Sequence, residues 1–165
     1  MTDVTELLSQ LATEPPADLE MNTALAAGAA DKAAVTESPF GDLWISWSKD
    51  GVTAVSPRFE TNSFEEFASN HRRIAYETAK LPSDLGSPIN DALTKGKTDG
   101  VPIDWRGIAE FQRAVLAACA TIPNGSVRSY GWIAETIDNP GSVRAVGTAL
   151  GRNPIPLLVP CHRVV

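Results

Sequence analysis

Asn153-Pro154-Ile155-Pro156-Leu157-Leu158-Val159-Pro160-Cys161-His162-Arg163-Val164-Val165 decides how the rest of the chain is read. Three prolines fix φ and remove backbone donors, so the stretch cannot continue a helix and is expected as a stiff, mostly extended segment. Leu157, Leu158 and Val159 form a short apolar run suited to passing through a core. Cys161, His162 and Arg163 follow where that run ends. A thiol beside an imidazole and a guanidinium sits in the electropositive setting that lowers a thiol pKa and makes a nucleophile. At the ordinary pKa of ~8.5 only roughly 3% of a thiol is ionised at pH 7, so such help is needed. A Cys-His pair alone fits a small buried hydrophobe as well.

Composition bounds the setting. The 165 residues suffice for a core in one domain or two small ones, and 43% hydrophobic with 21% charged residues describes an ordinary soluble protein. Two cysteines, Cys119 and Cys161, are too few for a disulfide framework or a four-ligand zinc site. No Lys or Arg precedes Lys32 and no apolar run reaches membrane length, so the expectation is a cytoplasmic chain without signal or membrane contact. The net charge of −6 argues at first against nucleic acid. It is unevenly spread, however. Residues 1–100 carry 8 basic and 16 acidic side chains, whereas residues 101–165 carry 6 basic, all Arg, and 4 acidic. Any DNA contact therefore belongs to the C-terminal part.

In chain order, Val4, Leu7, Leu8 and Leu11 have helical spacing, Pro15-Pro16 interrupts, and seven alanines crowd positions 24–34. Residues 1–35 are expected as a marginally helical, flexible arm. Leu43–Trp47 and Val52–Val55 flank Asp50-Gly51 and read as a β-hairpin. Phe64 to Ala79 is a helix candidate with Phe64, Phe67, His71 and Ile74 along one side, which makes His71 a surface or half-buried helix residue. A short helix ends near Leu93, and residues 95–102 form a polar linker. Glu110 to Ala120 is a helix with Phe111, Val115, Leu116 and Cys119 at core spacing, so Cys119 is expected to be an inert buried thiol. Pro123-Asn124-Gly125 makes a turn and Val127-Arg128 a brief strand. Ser129 caps a helix from Tyr130 to about Ile137, and Asn139-Pro140 opens another that runs to Gly151. Helix, short turn, helix is a helix-turn-helix outline.

Pro160-Cys161-His162-Arg163-Val164, with Asn153-Pro154, Arg144-Ala145-Val146-Gly147, Phe111-Gln112, Ile122-Pro123-x-Gly125 and Ser129-Tyr130-x-x-Ile133-Ala134, resembles the O6-alkylguanine-DNA alkyltransferases. The likeness is close over residues 104–165 and faint over 36–100. It implies a small α/β domain of ribonuclease-H-like shape over 36–100 and an α-helical, winged helix-turn-helix domain over 101–165. It also implies DNA repair by stoichiometric transfer of a methyl or alkyl group from guanine O6, with O4-alkylthymine as a second substrate, to Cys161 after base flipping. No cofactor is needed, and the partner is double-stranded DNA bound by a monomer. Some members hold zinc in the first domain; this chain lacks the Cys and His ligands for it, so no metal is expected.

The resemblance also assigns roles. Arg144 is to fill the gap left by the extruded base, for which a planar cation that can stack is suited. Ser142 and Val143 precede it where the helix meets the groove, Val143 being bulkier than the usual Ala. Tyr130 is to contact the target phosphate and the flipped guanine, Asn153 to brace the turn before the active-site strand, and backbone groups of Cys161 and Val164 to read the guanine edge. His162 is to assist Cys161 through a water, because neighbouring side chains on an extended backbone point to opposite faces. Family members continue past this motif into a Gly-rich lid and a helix with a Glu that orients the His. On that basis the chain is expected to be a fragment, or an impaired or repurposed member. A repair-inactive lesion-binding or regulatory module is therefore the alternative to the repair enzyme. A thiol hydrolase would need direct Cys-His contact and an oxyanion site, which no residue supplies.

Overall fold

The computed structural model describes residues 18–98 and 100–165. The expected helix around Val4–Leu11 and the Pro15-Pro16 break lie outside the described residues. Four strands form one mixed sheet: β1 (Ala30–Thr36), β2 (Leu43–Ser48), β3 (Gly51–Pro57) and β4 (Ile74–Glu77), in the order β3-β2-β1-β4. The pairs β1–β2 and β2–β3 are antiparallel, and β1–β4 is parallel. Around the sheet lie α1 (Leu19–Ala26), α2 (Phe64–Asn70) and α3 (Ser83–Lys95), followed by α4 (Glu110–Ala120), α5 (Tyr130–Thr136) and α6 (Val143–Gly151).

The hairpin forms as read, with Lys49-Asp50 between the strands and Gly51 at φ 137°. A Cβ at Gly51 would lie 2.5 Å from the Pro102 carbonyl oxygen, so only glycine lets this chain come so close. That approach allows the Val52 N–H to donate to Pro102 O and the Asp104 N–H to donate to Val52 O. The Val55 N–H likewise donates to Pro154 O, which ties β3 to the Cys161 segment. One apolar core runs through both halves, joining Ile45, Val52 and Ile89 to Val115, Leu116, Ile133, Val146, Ile155 and Leu158.

Two expectations are corrected. The arm assigned to residues 1–35 ends early, because Ala30–Thr36 is β1, an interior strand paired on both sides. The alanines there are small enough for close packing, and pairing with β2 and β4 overrides their low strand propensity. The helix read over 64–79 stops at Asn70. His71 turns extended at ψ 143°, and Ile74–Glu77 pairs with β1 as β4. Ile74, aligned with Phe64, Phe67 and His71 on one side of that helix, is exposed, whereas Phe67 is buried.

His71 is consequently no helix-surface residue. Its ring stacks on Phe67, and its Nε2 lies 2.6 Å from Oδ2 of Asp31, whose side chain is fully buried in β1. Arg73 Nε donates to the same Asp31 oxygen, and Arg73 Nη2 donates to Asp104 Oδ2 at 2.9 Å. Arg73 Nη2 also lies 2.8 Å from Asp31 Oδ1, as an ion-pair contact too oblique for a hydrogen bond. Asp104 further accepts from Arg106 Nε and Nη2, from the Arg106 N–H and from Ser48 Oγ. Burial alone would raise the Asp104 carboxyl; these donors, Arg106 and Ser48 foremost, outweigh it and hold the group well below the usual carboxylate range.

Removing one member of a buried ion network strands its partners. Asp104→Ala should cost about 3 kcal/mol in urea unfolding, near the lower end for such sites because Arg106 reaches solvent. Asp50→Ala removes an exposed partner of Arg106 and should cost less than about 1 kcal/mol. A depressed carboxylate stabilises the fold above its unfolded pKa, so the difference between wild type and Asp104→Ala should shrink as pH falls below ~4. A pH-independent difference would contradict this assignment.

Candidate active site

After α4, the Ser126 N–H donates to Pro123 O and closes the expected Pro-Asn-Gly turn. Arg128 then bridges to the chain end: its N–H donates to Arg163 O and its carbonyl accepts from the Val165 N–H, both at 2.9 Å. Ser129 Oγ accepts from the Trp132 N–H at 3.0 Å and starts α5. The Tyr130 N–H reaches Val165 O at 3.3 Å, so Tyr130 stands beside the segment that carries Cys161.

Asp138, at φ 54°, turns the chain out of α5. The next helix does not begin directly at Pro140. Residues Pro140–Ser142 form a 3-10 turn in which Asn139 makes no side-chain cap and Ser142 Oγ instead donates to Asn139 O. Proline fixes φ but leaves the early N–H groups to be satisfied by tighter turns. Val146, Ala149 and Leu150 bury one face of α6 against α4 and α5, leaving Val143 and Arg144 exposed. A methyl group at Gly147 would lie 3.8 Å from the Tyr130 ring, so the ring rests beside α6 there. Arg144 precedes Gly147 by three residues and shares its face. Tyr130 and Arg144 thus occupy one surface.

The Pro-rich segment is bent rather than extended. Leu157 adopts φ 71°, and the Val159 N–H donates to Ile155 O at 2.9 Å. Asn153 builds this turn, because its Oδ1 accepts from the Ile155 N–H and its Nδ2 donates to Val159 O. Leu158 and Val159 are buried as read, whereas Leu157 is half-buried. Cys161–Arg163 then form a 3-10 turn, with the Cys161 N–H on Val159 O and the Val164 N–H on Cys161 O. Both N–H groups are thereby engaged, as is the Cys161 carbonyl.

Cys161 is half-buried and His162 exposed at the tip of this turn. Partial desolvation of the ring by the surrounding turn first, and the neighbouring Arg163 cation second, lower the His162 pKa from its ordinary value and favour the neutral imidazole. Arg163 itself is a brace: Nη1 donates to Ile122 O at 3.1 Å and Nη2 to Asn124 Oδ1 at 3.0 Å. Asn124 in turn donates to Lys95 O and packs on Gly96, where α3 ends in a left-handed conformation and a Cβ would lie 2.6 Å from the Asn124 amide. The Cys161 turn is thus held from α3, from the turn after α4, and from Asn153. Cys119 lies on α4 without exposure, and burial pushes its thiol up to about 12. A cleft of about 320 Å³ lined by Phe40, Leu157, His162 and Arg163 opens beside the turn. A larger one, of about 490 Å³ between β3, α2 and α4, contains none of the expected site residues.

Residues 110–165 match the family model described as 6-O-methylguanine DNA methyltransferase, DNA binding domain. A methylated-DNA–protein-cysteine methyltransferase of Mycolicibacterium paratuberculosis is 58% identical over 129 residues, which cover 78% of this chain and 74% of the relative. The chain belongs to the methylated-DNA–protein-cysteine methyltransferase family. Its member from Shigella flexneri is 33% identical over 140 residues, 78% of either chain. The solved Mycobacterium tuberculosis OGT in complex with DNA superposes with a TM-score of 0.62 at 32% identity, over 81% of this chain and 78% of that one. The mixed sheet and its helices therefore match a methyltransferase architecture. Three features were not foreseen from the sequence: the Asp31–His71–Arg73–Asp104 network, the Arg163–Asn124 brace, and the Arg128 guanidinium over the Trp132 ring.

Proposed function

We propose that this chain repairs DNA by direct alkyl transfer from guanine O6 to Cys161. The observation that carries this reading is the contrast between two thiols: Cys161 is accessible on a triply braced turn beside Tyr130, and Cys119 is sealed in α4. The Cys161 sulfur attacks the alkyl carbon and the C–O bond breaks. The C–O electron pair goes to O6, and the purine anion takes up a proton from water, matching the one the thiol gives up. His162 accepts the thiol proton through a water. The S-alkyl product has no good leaving group, so each molecule acts once and needs no cofactor.

Around that step, Arg144 occupies the space of the flipped base, Tyr130 meets the target phosphate and guanine, and Ser142 and Val143 line the groove contact. Asn153 holds the turn, and the Val164 carbonyl faces the base. The finer architecture we assign is a ribonuclease-H-like unit up to about residue 100 and a winged helix-turn-helix unit from residue 101 onward, acting as a cytoplasmic monomer on duplex DNA. Titration with excess duplex containing O6-methylguanine should stop at one methyl group removed per protein molecule. A lesion-binding module would remove none, and continued turnover would contradict a consumed cysteine.

A further inference from the structure

The six arginines of residues 101–165 are in different states. Arg106 is ion-paired with Asp104 and Asp50, and Arg163 is spent on Ile122 and Asn124. Arg113, Arg128, Arg144 and Arg152 have no carboxylate within ion-pair distance among the described residues. Of these four, Arg128 is held in place. Its guanidinium carbon lies 5.4 Å from the centroid of the Trp132 ring, and Nη1 donates to Val127 O at 2.9 Å. Its backbone is clamped between Arg163 O and the Val165 N–H, two residues before Tyr130.

We propose that Arg128, seated on Trp132, is a further phosphate contact for the DNA strand that runs past Tyr130. The proposal rests on the repair reading and adds a binding residue to it. A guanidinium held over an indole ring as a cation–π contact keeps N–H donors for other partners; among the described residues one of its five is taken, by Val127 O. An arginine already ordered loses less freedom on meeting a phosphate, and its planar fork matches two phosphate oxygens. Such a contact is independent of sequence, as a protein that must act wherever a lesion lies requires. It also matters in a chain of net charge −6, whose overall field does not favour a polyanion.

The test is the salt dependence of binding to a duplex containing O6-methylguanine, for wild type, Arg128→Gln, Arg128→Lys and Arg113→Gln. Arg113 is an exposed arginine on α4 and controls for net charge. Losing one phosphate contact should reduce the slope of log K against log salt by about 0.9, which weakens binding about fivefold at ~0.15 M salt and about fifteenfold at ~0.05 M. Arg128→Gln should show that change and Arg113→Gln should keep the wild-type slope. Arg128→Lys keeps the charge but loses the fork, so its slope should match wild type with weaker affinity. An unchanged slope in Arg128→Gln, or an equal fall in Arg113→Gln, would overturn the proposal. Wild-type protein that failed to bind the duplex at all would overturn the repair reading beneath it.

Discussion

Cys161→Ser should eliminate alkyl transfer and leave affinity for alkylated duplex DNA close to wild type. Serine keeps the size of the side chain, and the turn is built from backbone bonds and from Asn153, Arg163 and Asn124, none of which involves the sulfur. What is lost is the soft nucleophile. A hydroxyl is scarcely ionised at neutral pH, so the rate should drop by more than about 10³-fold, the scale on which removing a nucleophile acts. Cys119→Ser should leave the rate within about twofold, because a thiol pushed up to about 12 in the core of α4 takes no part. Its cost should appear in stability instead, at about 1 kcal/mol, for placing a hydroxyl where the thiol was buried. Single-turnover rates, duplex affinity and urea unfolding on both variants separate these effects. A Cys161→Ser protein that still transferred, or a Cys119→Ser protein that did not, would move the chemistry to the wrong sulfur.

Arg144→Ala should slow transfer from duplex DNA by about 10- to 100-fold, while transfer from free O6-benzylguanine changes by less than about threefold. Extruding a base costs a few kcal/mol, and each ~1.4 kcal/mol of lost compensation is about tenfold in rate. The free base needs no extrusion. Arg144 is exposed on the first turn of α6, on the face where Tyr130 rests against Gly147, so it can enter a groove without disturbing the core. Single-turnover kinetics on the two substrates measure the ratio. Equal losses on both would show that Arg144 does not hold the duplex open.

The C-terminal half was legible because its signals are local. Apolar spacing set α4, the Ser129 cap set α5, and Pro-Asn-Gly set the turn between them. The motif string around Cys161 pointed to the chemistry. What remained hidden depends on groups far apart in sequence. β1 carries alanines and a charged pair, Asp31-Lys32, and becomes a strand because β2 and β4 flank it and because Arg73 and His71, about forty residues away, hydrogen-bond the buried Asp31 carboxylate. The helical spacing of Phe64 and Phe67 continued by accident into His71 and Ile74, although the alternation of Ile74 and Tyr76 already favoured a strand. The bend at Leu157 was missed because proline fixes φ and not ψ. The clue to it was Asn153, an Asx-turn residue at the head of the Pro-rich stretch.

Peptide mapping of the protein after incubation with an O6-methylguanine duplex tests the central claim most directly. The account predicts one added methyl group per molecule, carried by the peptide that contains Cys161, with Cys119 unmodified. A methyl group on Cys119, or a DNA-bound protein carrying none, would contradict it.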